Sequence, residues 1–422
     1  MRRSPCICRV KRNEDSITKD QGVTMDVHYR IVVIGGGNAG ISVAARLRNS
    51  GQPGVAVIEP SEDHYYQPLF TLIGGGCAPA DQAVRPEAKV MPRGVSWIKD
   101  AAVAVDPLAQ LVSLAGGDIV GYDYLVVCPG LQLDWDRVPG MQEAMRSPSA
   151  SSNYRFDLAP KTWRLIKGMR KGTAVFTMPS GPIKCGGAPQ KIAYLAADYW
   201  RKQGVLGDIR LLLVLPSDRM FGVEVFSREL MKVAQRYGIE VRHNSEATGI
   251  KPDRSMVVIR DNSTETSEEI SYDMLHVVPP QSAPDWIKQS LLPSPENPWG
   301  YIEVDPNKLQ HVRDPKIFAL GDVGSSPNSK TGAAVRKQAP VVVANLLAVM
   351  HQSKPEARYQ GYSSCPLTTS RRTVLLAEFD YRHEHTPSFP LIDTTRERRD
   401  MWFLKRHGLP ALYWNLILKG KA

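Results

Sequence analysis

Cysteine is scarce in this chain of 422 residues: there are six, Cys6, Cys8, Cys77, Cys128, Cys185 and Cys365. None falls in the CxxC spacing of a metal site, so no metal is expected, and a secreted scaffold stapled by disulfides is excluded. Equally absent is any run of about 18 or more apolar residues, so no bilayer-spanning helix is expected. Acidic residues are outnumbered 53 to 43 by Lys and Arg, a formal charge of +10. Such an excess attracts phosphate-bearing partners, yet no nucleic-acid-binding motif accompanies it, and no nucleic-acid partner is expected. One further absence, a second glycine fingerprint, becomes informative once the first has been described.

The length predicts two or three domains. A basic start, "MRRSPCICRVKR", followed by Glu14, Asp15 and Asp20, is either a disordered tail or a targeting peptide, and is set aside over residues 1–27. Then "YRIVVIGGGNAGISVAARLRNSG" spells strand, tight turn and helix, with a second strand at "GVAVIEP". Alternating strands and helices imply a parallel βαβ unit. The same grammar recurs from Lys171, and again in "KIFALGDVGSSPNSKTGAAVRKQAP". The fold expected is α/β, with two Rossmann-like dinucleotide-binding domains and a small region closing the chain. The expected boundaries are 28–150 for the first part of the first domain, 151–300 for the second domain, 301–355 for the rest of the first domain, and 356–422 for the C-terminal region.

Gly35, Gly37 and Gly40 form GxGxxG directly after a strand, where glycines let the backbone approach a pyrophosphate at a helix N-terminus. Glu59 closes the next strand, placed to accept ribose hydroxyls. Far downstream, "IFALGD" puts Asp322 at a strand end before another helix, suited to hold a ribityl hydroxyl. The pair points to FAD in an extended pose. The second half should then open on its own GxGxxG for a nicotinamide dinucleotide, and it does not. Its first turn is "MPSGPIKCGGAPQK", which carries Cys185 between Lys184 and Lys191. A helix N-terminus and nearby lysines lower a thiol pKa and favour the reactive thiolate. Cys365, in "YSSCPLTTS", is the best candidate partner. Cys128 ends an apolar strand and belongs to the core; Cys77 is open to either reading.

The segment "TTRERRDMWFLKRHGLPALYWNLILKGKA" holds seven Lys/Arg and two acids, interleaved with Trp402, Phe403, Tyr413 and Trp414. Short, basic and aromatic-rich, it fits an interfacial anchor, which would put the protein peripherally on a bacterial or mitochondrial inner membrane. A lipid-soluble quinone is then a natural electron acceptor. The competing expectation is that this helix packs on the body or on a second copy in a homodimer.

Several stretches carry a resemblance along nearly all of residues 28–420: "GGGNAG", "EPSEDHYYQPLFTLIGGG", "GPIKCGGAPQKIAYL", "GDVGSSPNSKTGAAV" and "GYSSCPLTTSRRTVLLAEFDY". The sequence resembles the sulfide:quinone oxidoreductases, in the type II branch that includes mitochondrial enzymes. The resemblance implies that Cys185 and Cys365 are the catalytic pair, linked at rest through a disulfide or a sulfur-bridged trisulfide. Hydrogen sulfide would attack that bridge, electrons would pass through FAD to ubiquinone, and the sulfur would go to a small acceptor such as glutathione, sulfite or cyanide. It also implies FAD contacts at Gly37, Asn38, Glu59, Gln67, Ala102, Asp322 and the Lys330–Gly332 turn. An aromatic quinone mouth is expected at Phe379, Tyr381 and Phe389. The competing functions are a type II NADH:quinone oxidoreductase, which the missing second fingerprint disfavours, and a non-catalytic flavoprotein redox sensor.

Overall fold

Strand Val27–Ile34 is the axis of the first sheet, because its Val/Ile run is buried from Ile31 to Ile34 and both its edges are paired in parallel. Runs apolar on both faces are what a doubly covered parallel sheet requires. The order across the sheet is 96–98, 55–58, 27–34, 119–127, 111–114, 102–106. Strand Ile317–Ala319 joins it in parallel, beside the C-terminal end of Ile119–Val127. The ends of Val27–Ile34 and Ile317–Ala319, nearly 290 residues apart, thereby both pair with the one strand Ile119–Val127. The computed structural model describes residues 27–422; the reading of the N-terminal tail, with Cys6 and Cys8, lies outside them.

The fingerprint turn exists because two glycines make room for it. Gly35 has φ +101°, and a Cβ there would sit 2.6 Å from the Cys128 carbonyl oxygen; at Gly40 it would sit 1.8 Å from the Gly35 oxygen. The first allows the turn, and the second lets helix Asn38–Asn49 press onto it. A second, all-parallel sheet runs in the order 150–151, 274–276, 172–177, 209–214, 240–242. After strand Gly172–Thr177 comes the cysteine loop and then helix Ala188–Lys202, buried along almost its whole length. The polar run 262–269, expected as a solvated hairpin tip, supplies the turn and part of strand Ser267–Ser271 in an antiparallel three-stranded sheet.

Helix Gly332–Met350 is long and apolar enough to cross a membrane by length and composition, contrary to the expectation from apolar runs. Half of it is buried inside the protein, where Val335, Ala339, Val342 and Leu346 meet helix Asn38–Asn49 and the first sheet. It is a core helix. Its N-terminus is capped by the Thr331 hydroxyl, which accepts from the Ala334 amide at 3.1 Å.

The C-terminal segment departs from the expected anchor. Tyr413, Trp414, Ile417 and Leu418 are buried in the largest core cluster. Asn49 of the fingerprint helix donates to the Lys419 carbonyl at 2.9 Å, and Arg46 donates to the carbonyl of Ala422. Arg85 lies 4.3 Å over the Trp414 ring. The aromatics that suggested lipid contact are taken up by packing, because a tenth of the chain folds back over the first domain. The apolar groups left outside are Phe403 and Leu416 there, and Phe389 and Leu391 just before. Leu418→Ala should therefore lower the unfolding free energy by about 2–5 kcal/mol in denaturant titration without lipid. A segment that belonged in lipid would leave that titration unchanged.

Candidate active site

Cys185 and Cys365 are 180 residues apart in sequence, and their Sγ atoms are 2.8 Å apart. That is longer than a disulfide bond of about 2.05 Å, and the two are free thiols within easy reach of bonding. The backbone at Cys185 is left-handed, φ +56°, three residues before helix Ala188–Lys202 begins. Its amide donates to the Lys330 carbonyl at 2.7 Å, so the thiol loop hangs from the turn that leads into helix Gly332–Met350. Cys365 comes from strand Ser363–Thr368, paired antiparallel to Val374–Phe379.

Two buried lysines serve this pair. Lys191, one turn into helix Ala188–Lys202, places Nζ 3.2 Å from the Cys185 sulfur and 3.9 Å from that of Cys365. Lys405 is 6 % exposed. The Cys365 thiol donating to Cys185, helped by the Lys191 ammonium against the effect of burial, holds Cys185 well below the usual thiol range. Its partner moves the other way: the shared hydrogen bond and burial hold Cys365 well above that range. The reduced pair is a Cys185 thiolate accepting from a Cys365 thiol. Burial works against the charge on Lys191, but the two sulfurs outweigh it and its pKa is raised. Lys405 is pushed down to about 7 by burial and by repulsion from Lys191.

The thiol loop borders a cavity of ≈ 600 Å³ that extends to the fingerprint. Gly35, Gly37, Asn38, Glu59, Gln67, Asp322, Lys330 and Gly332 all line it with Cys185. Asn38 Nδ2 lies 3.4 Å from the Gly332 carbonyl oxygen, joining the two ends of this wall. Glu59 accepts from the amides of Gly36 at 2.7 Å and Ser61 at 2.8 Å. Lys184 Nζ donates to Gln67 Oε1 at 2.9 Å. Burial raises the Asp322 carboxyl, with Lys184 and Lys330 opposing, and lowers Lys330 to about 8.

Residues 29–339 match the pyridine nucleotide-disulphide oxidoreductase family. A Mus musculus protein named mitochondrial sulfide:quinone oxidoreductase is 38 % identical, over 93 % of this chain and 87 % of its own length. A Dictyostelium discoideum protein of the same name is 40 % identical, over 93 % and 86 %. The chain belongs to the sulfide:quinone oxidoreductase family. The solved sulfide:quinone oxidoreductase of Aquifex aeolicus shares the fold, with a TM-score of 0.77 at 19 % identity, covering 93 % of this chain and 92 % of that one.

As a flavoprotein disulfide reductase relative, the protein takes FAD as its cofactor. The cavity fits it. No atom stands within 4 Å of a Cβ built on Gly37, so that face of the fingerprint turn is open to a ligand. Asn38 Oδ1 and both side-chain polar atoms of Asn153 are buried without a partner, and both residues line the cavity. Orphaned polar atoms on a cavity wall mark where a polar ligand completes the hydrogen bonding.

Two expected cofactor residues stand elsewhere. Gly40 lies beneath the turn and acts through packing. Ala102 sits on edge strand Ala102–Asp106, opposite Leu114, in the core cluster that includes Ile287 and Leu292; it does not line the cavity. Of the expected aromatic mouth, only Phe389 lines the cavity. Phe379 is a core residue packed on Phe221, and Tyr381 packs on Tyr359 and donates to the Pro306 carbonyl. Cys128 is buried, and burial pushes its thiol far up, as it does more mildly for Cys77; neither is near its ordinary reactivity. Sequence reasoning missed Lys405, which was counted in a basic surface run, and His64. The latter is buried on the cavity wall between Glu87 Oε2 at 2.9 Å and the Tyr413 hydroxyl at 2.6 Å. A lone Lys or His in a polar-looking stretch carries no local signal of such burial.

In the reduced protein, alkylation at Cys185 should stay fast as pH falls from about 8.5, the ordinary thiol pKa, through neutrality. Lys191→Met should restore the ordinary decline and slow alkylation at pH about 7 by roughly tenfold. Lys405→Met should act only below about pH 7, where that lysine gains its charge. Iodoacetamide kinetics with peptide mapping check all three.

Proposed function

We propose that this chain oxidises sulfide at the Cys185–Cys365 pair and delivers the electrons, by way of bound FAD, to a quinone. The observation that carries this reading is the 2.8 Å contact of the two sulfurs beside Lys191, on the cavity shared with the dinucleotide fingerprint. The oxidised pair, joined as a disulfide, is the electrophile. Hydrosulfide attacks one sulfur; the bridge breaks; one cysteine keeps a persulfide and the other leaves as thiolate. Lys191 lies within reach of both sulfurs, so it stabilises whichever carries the charge. Electron storage between thiol and quinone is the chemistry that bound FAD supplies. Gly37, Asn38, Glu59, Gln67, Asp322, Lys330 and Gly332 are the residues that would hold it.

A small sulfur acceptor, such as glutathione, sulfite or cyanide, then removes the persulfide sulfur. Buried Lys191 and Lys405 favour anionic nucleophiles there. Exposed Phe389, Leu391 and Phe403 among Arg396 and Arg399 support a peripheral position on a membrane surface, with quinone entering past Phe389. A nicotinamide donor has little support: the turn after strand Gly172–Thr177 is filled by the cysteine loop.

Anaerobic sulfide should bleach the visible flavin band, and NADH should not. Bleaching by NADH alone would overturn the reading. Cys185→Ser and Cys365→Ser should each abolish sulfide-dependent quinone reduction, whereas Cys128→Ser should keep near-wild-type turnover.

A further inference from the structure

A β-hairpin has two faces, and this one separates two chemistries. Directly opposed residues share a face, and faces alternate along each strand. Cys365, Ala377, Leu367 and Leu375 therefore point one way, into the core cluster that also receives Cys185. Ser364, Glu378, Pro366 and Leu376 point the other way, and all four line the cavity. Apolar side chains also line the cavity, among them Pro366, Leu376, Phe389, Leu404, Leu409 and Leu412.

Glu378 is a buried acid on this wall. It is 2 % exposed and forms no salt bridge among the described residues. Its Oε1 lies 2.5 Å from the Tyr362 hydroxyl and 2.5 Å from the Ser388 hydroxyl, and its Oε2 accepts from the Ser388 amide at 3.0 Å. Ser388 is exposed, and it also lines the cavity. The cationic groups facing the cluster are Lys337, 5.8 Å over the Tyr362 ring, and Arg336, whose charge acts on Tyr362. A carboxyl buried on an apolar wall is costly unless it is used or fully hydrogen-bonded. This one is wired through a single hydroxyl to solvent.

We infer that Glu378, with Ser388 and Tyr362, exchanges protons with the quinone on the face of the hairpin opposite the thiols. The inference rests on the proposed sulfide-to-quinone activity. Converting a quinone to a quinol takes two electrons and two protons. The electrons come from sulfide oxidation through bound FAD; the protons end on the two quinone oxygens and must be replaced from water. Glu378, which accepts from the Tyr362 and Ser388 hydroxyls, takes up a proton and passes it to a quinone oxygen as electrons arrive. It is reprotonated through the Ser388 hydroxyl, which takes a proton from water as it gives one up.

The test separates the two half-reactions in a stopped-flow instrument with FAD-loaded protein. In Glu378→Gln, bleaching by sulfide should proceed at the wild-type rate, while reoxidation by a short-chain ubiquinone should slow by roughly 100-fold or more, the scale of a lost general acid. Glu378→Asp should recover part of that rate. Reoxidation by ferricyanide, which takes electrons without protons, should be unchanged in both variants. Wild-type reoxidation of Glu378→Gln by quinone would overturn the inference. So would an equal loss with ferricyanide, which would mark a structural role. If sulfide fails to bleach the wild-type flavin, the proposed activity fails, and dithionite-reduced protein still gives the quinone and ferricyanide comparison for Glu378.

Discussion

The structure turns on a buried charge held by sulfur. Lys191 is 4 % exposed, and an ammonium in that position is tolerable only beside an anion. The anion is the Cys185 thiolate, itself stabilised by the Lys191 ammonium and by a hydrogen bond from Cys365. Each of the three groups needs the other two. Remove the lysine and the thiolate loses its counter-charge in a buried pocket; remove the sulfurs and the lysine is left charged and buried. Bringing the groups together requires a left-handed residue at Cys185, a helix starting at Ala188, and a hairpin delivering Cys365 from the far end of the chain.

That hairpin also divides the site. Because side chains alternate in a strand, the residue next to a thiol must face away from it. Cys365 looks into the core and Ser364 and Pro366 look into the cavity. Cys365 and Glu378 thus stand on opposite faces of one element, while Cys185 borders the same cavity that Glu378 lines. The Cys185 amide bound to the Lys330 carbonyl ties the thiol loop to the flavin side, so a shift in either is felt by the other.

The C-terminal segment belongs to this arrangement. Tyr413 reaches His64, which reaches Glu87, while Asn49 and Arg46 of the fingerprint helix hold the last residues. Lys405 enters the thiol pocket from the same segment. A stretch with the composition of an interfacial helix serves as one wall of the active site, and its exposed apolar part is reduced to a few side chains such as Phe403.

Local grammar decided much in advance. GxGxxG after a Val/Ile strand could form only a tight turn against a helix, Asp322 at a strand end could only face the ligand side of a parallel sheet, and a thiol in a glycine loop before a helix was legible as reactive. Those features depend on neighbours within a few residues, where φ, pleat and hydrogen bonding are dictated by the sequence itself. Distances between remote segments are not so dictated. That Ala102 joins the core, that Phe379 packs on Phe221, that Tyr413 and Trp414 are buried, and that Lys405 and Glu378 reach one cavity were settled by tertiary packing. An aromatic or charged side chain looks alike in sequence whether water, lipid or a buried partner surrounds it, and only the assembled fold supplies that partner.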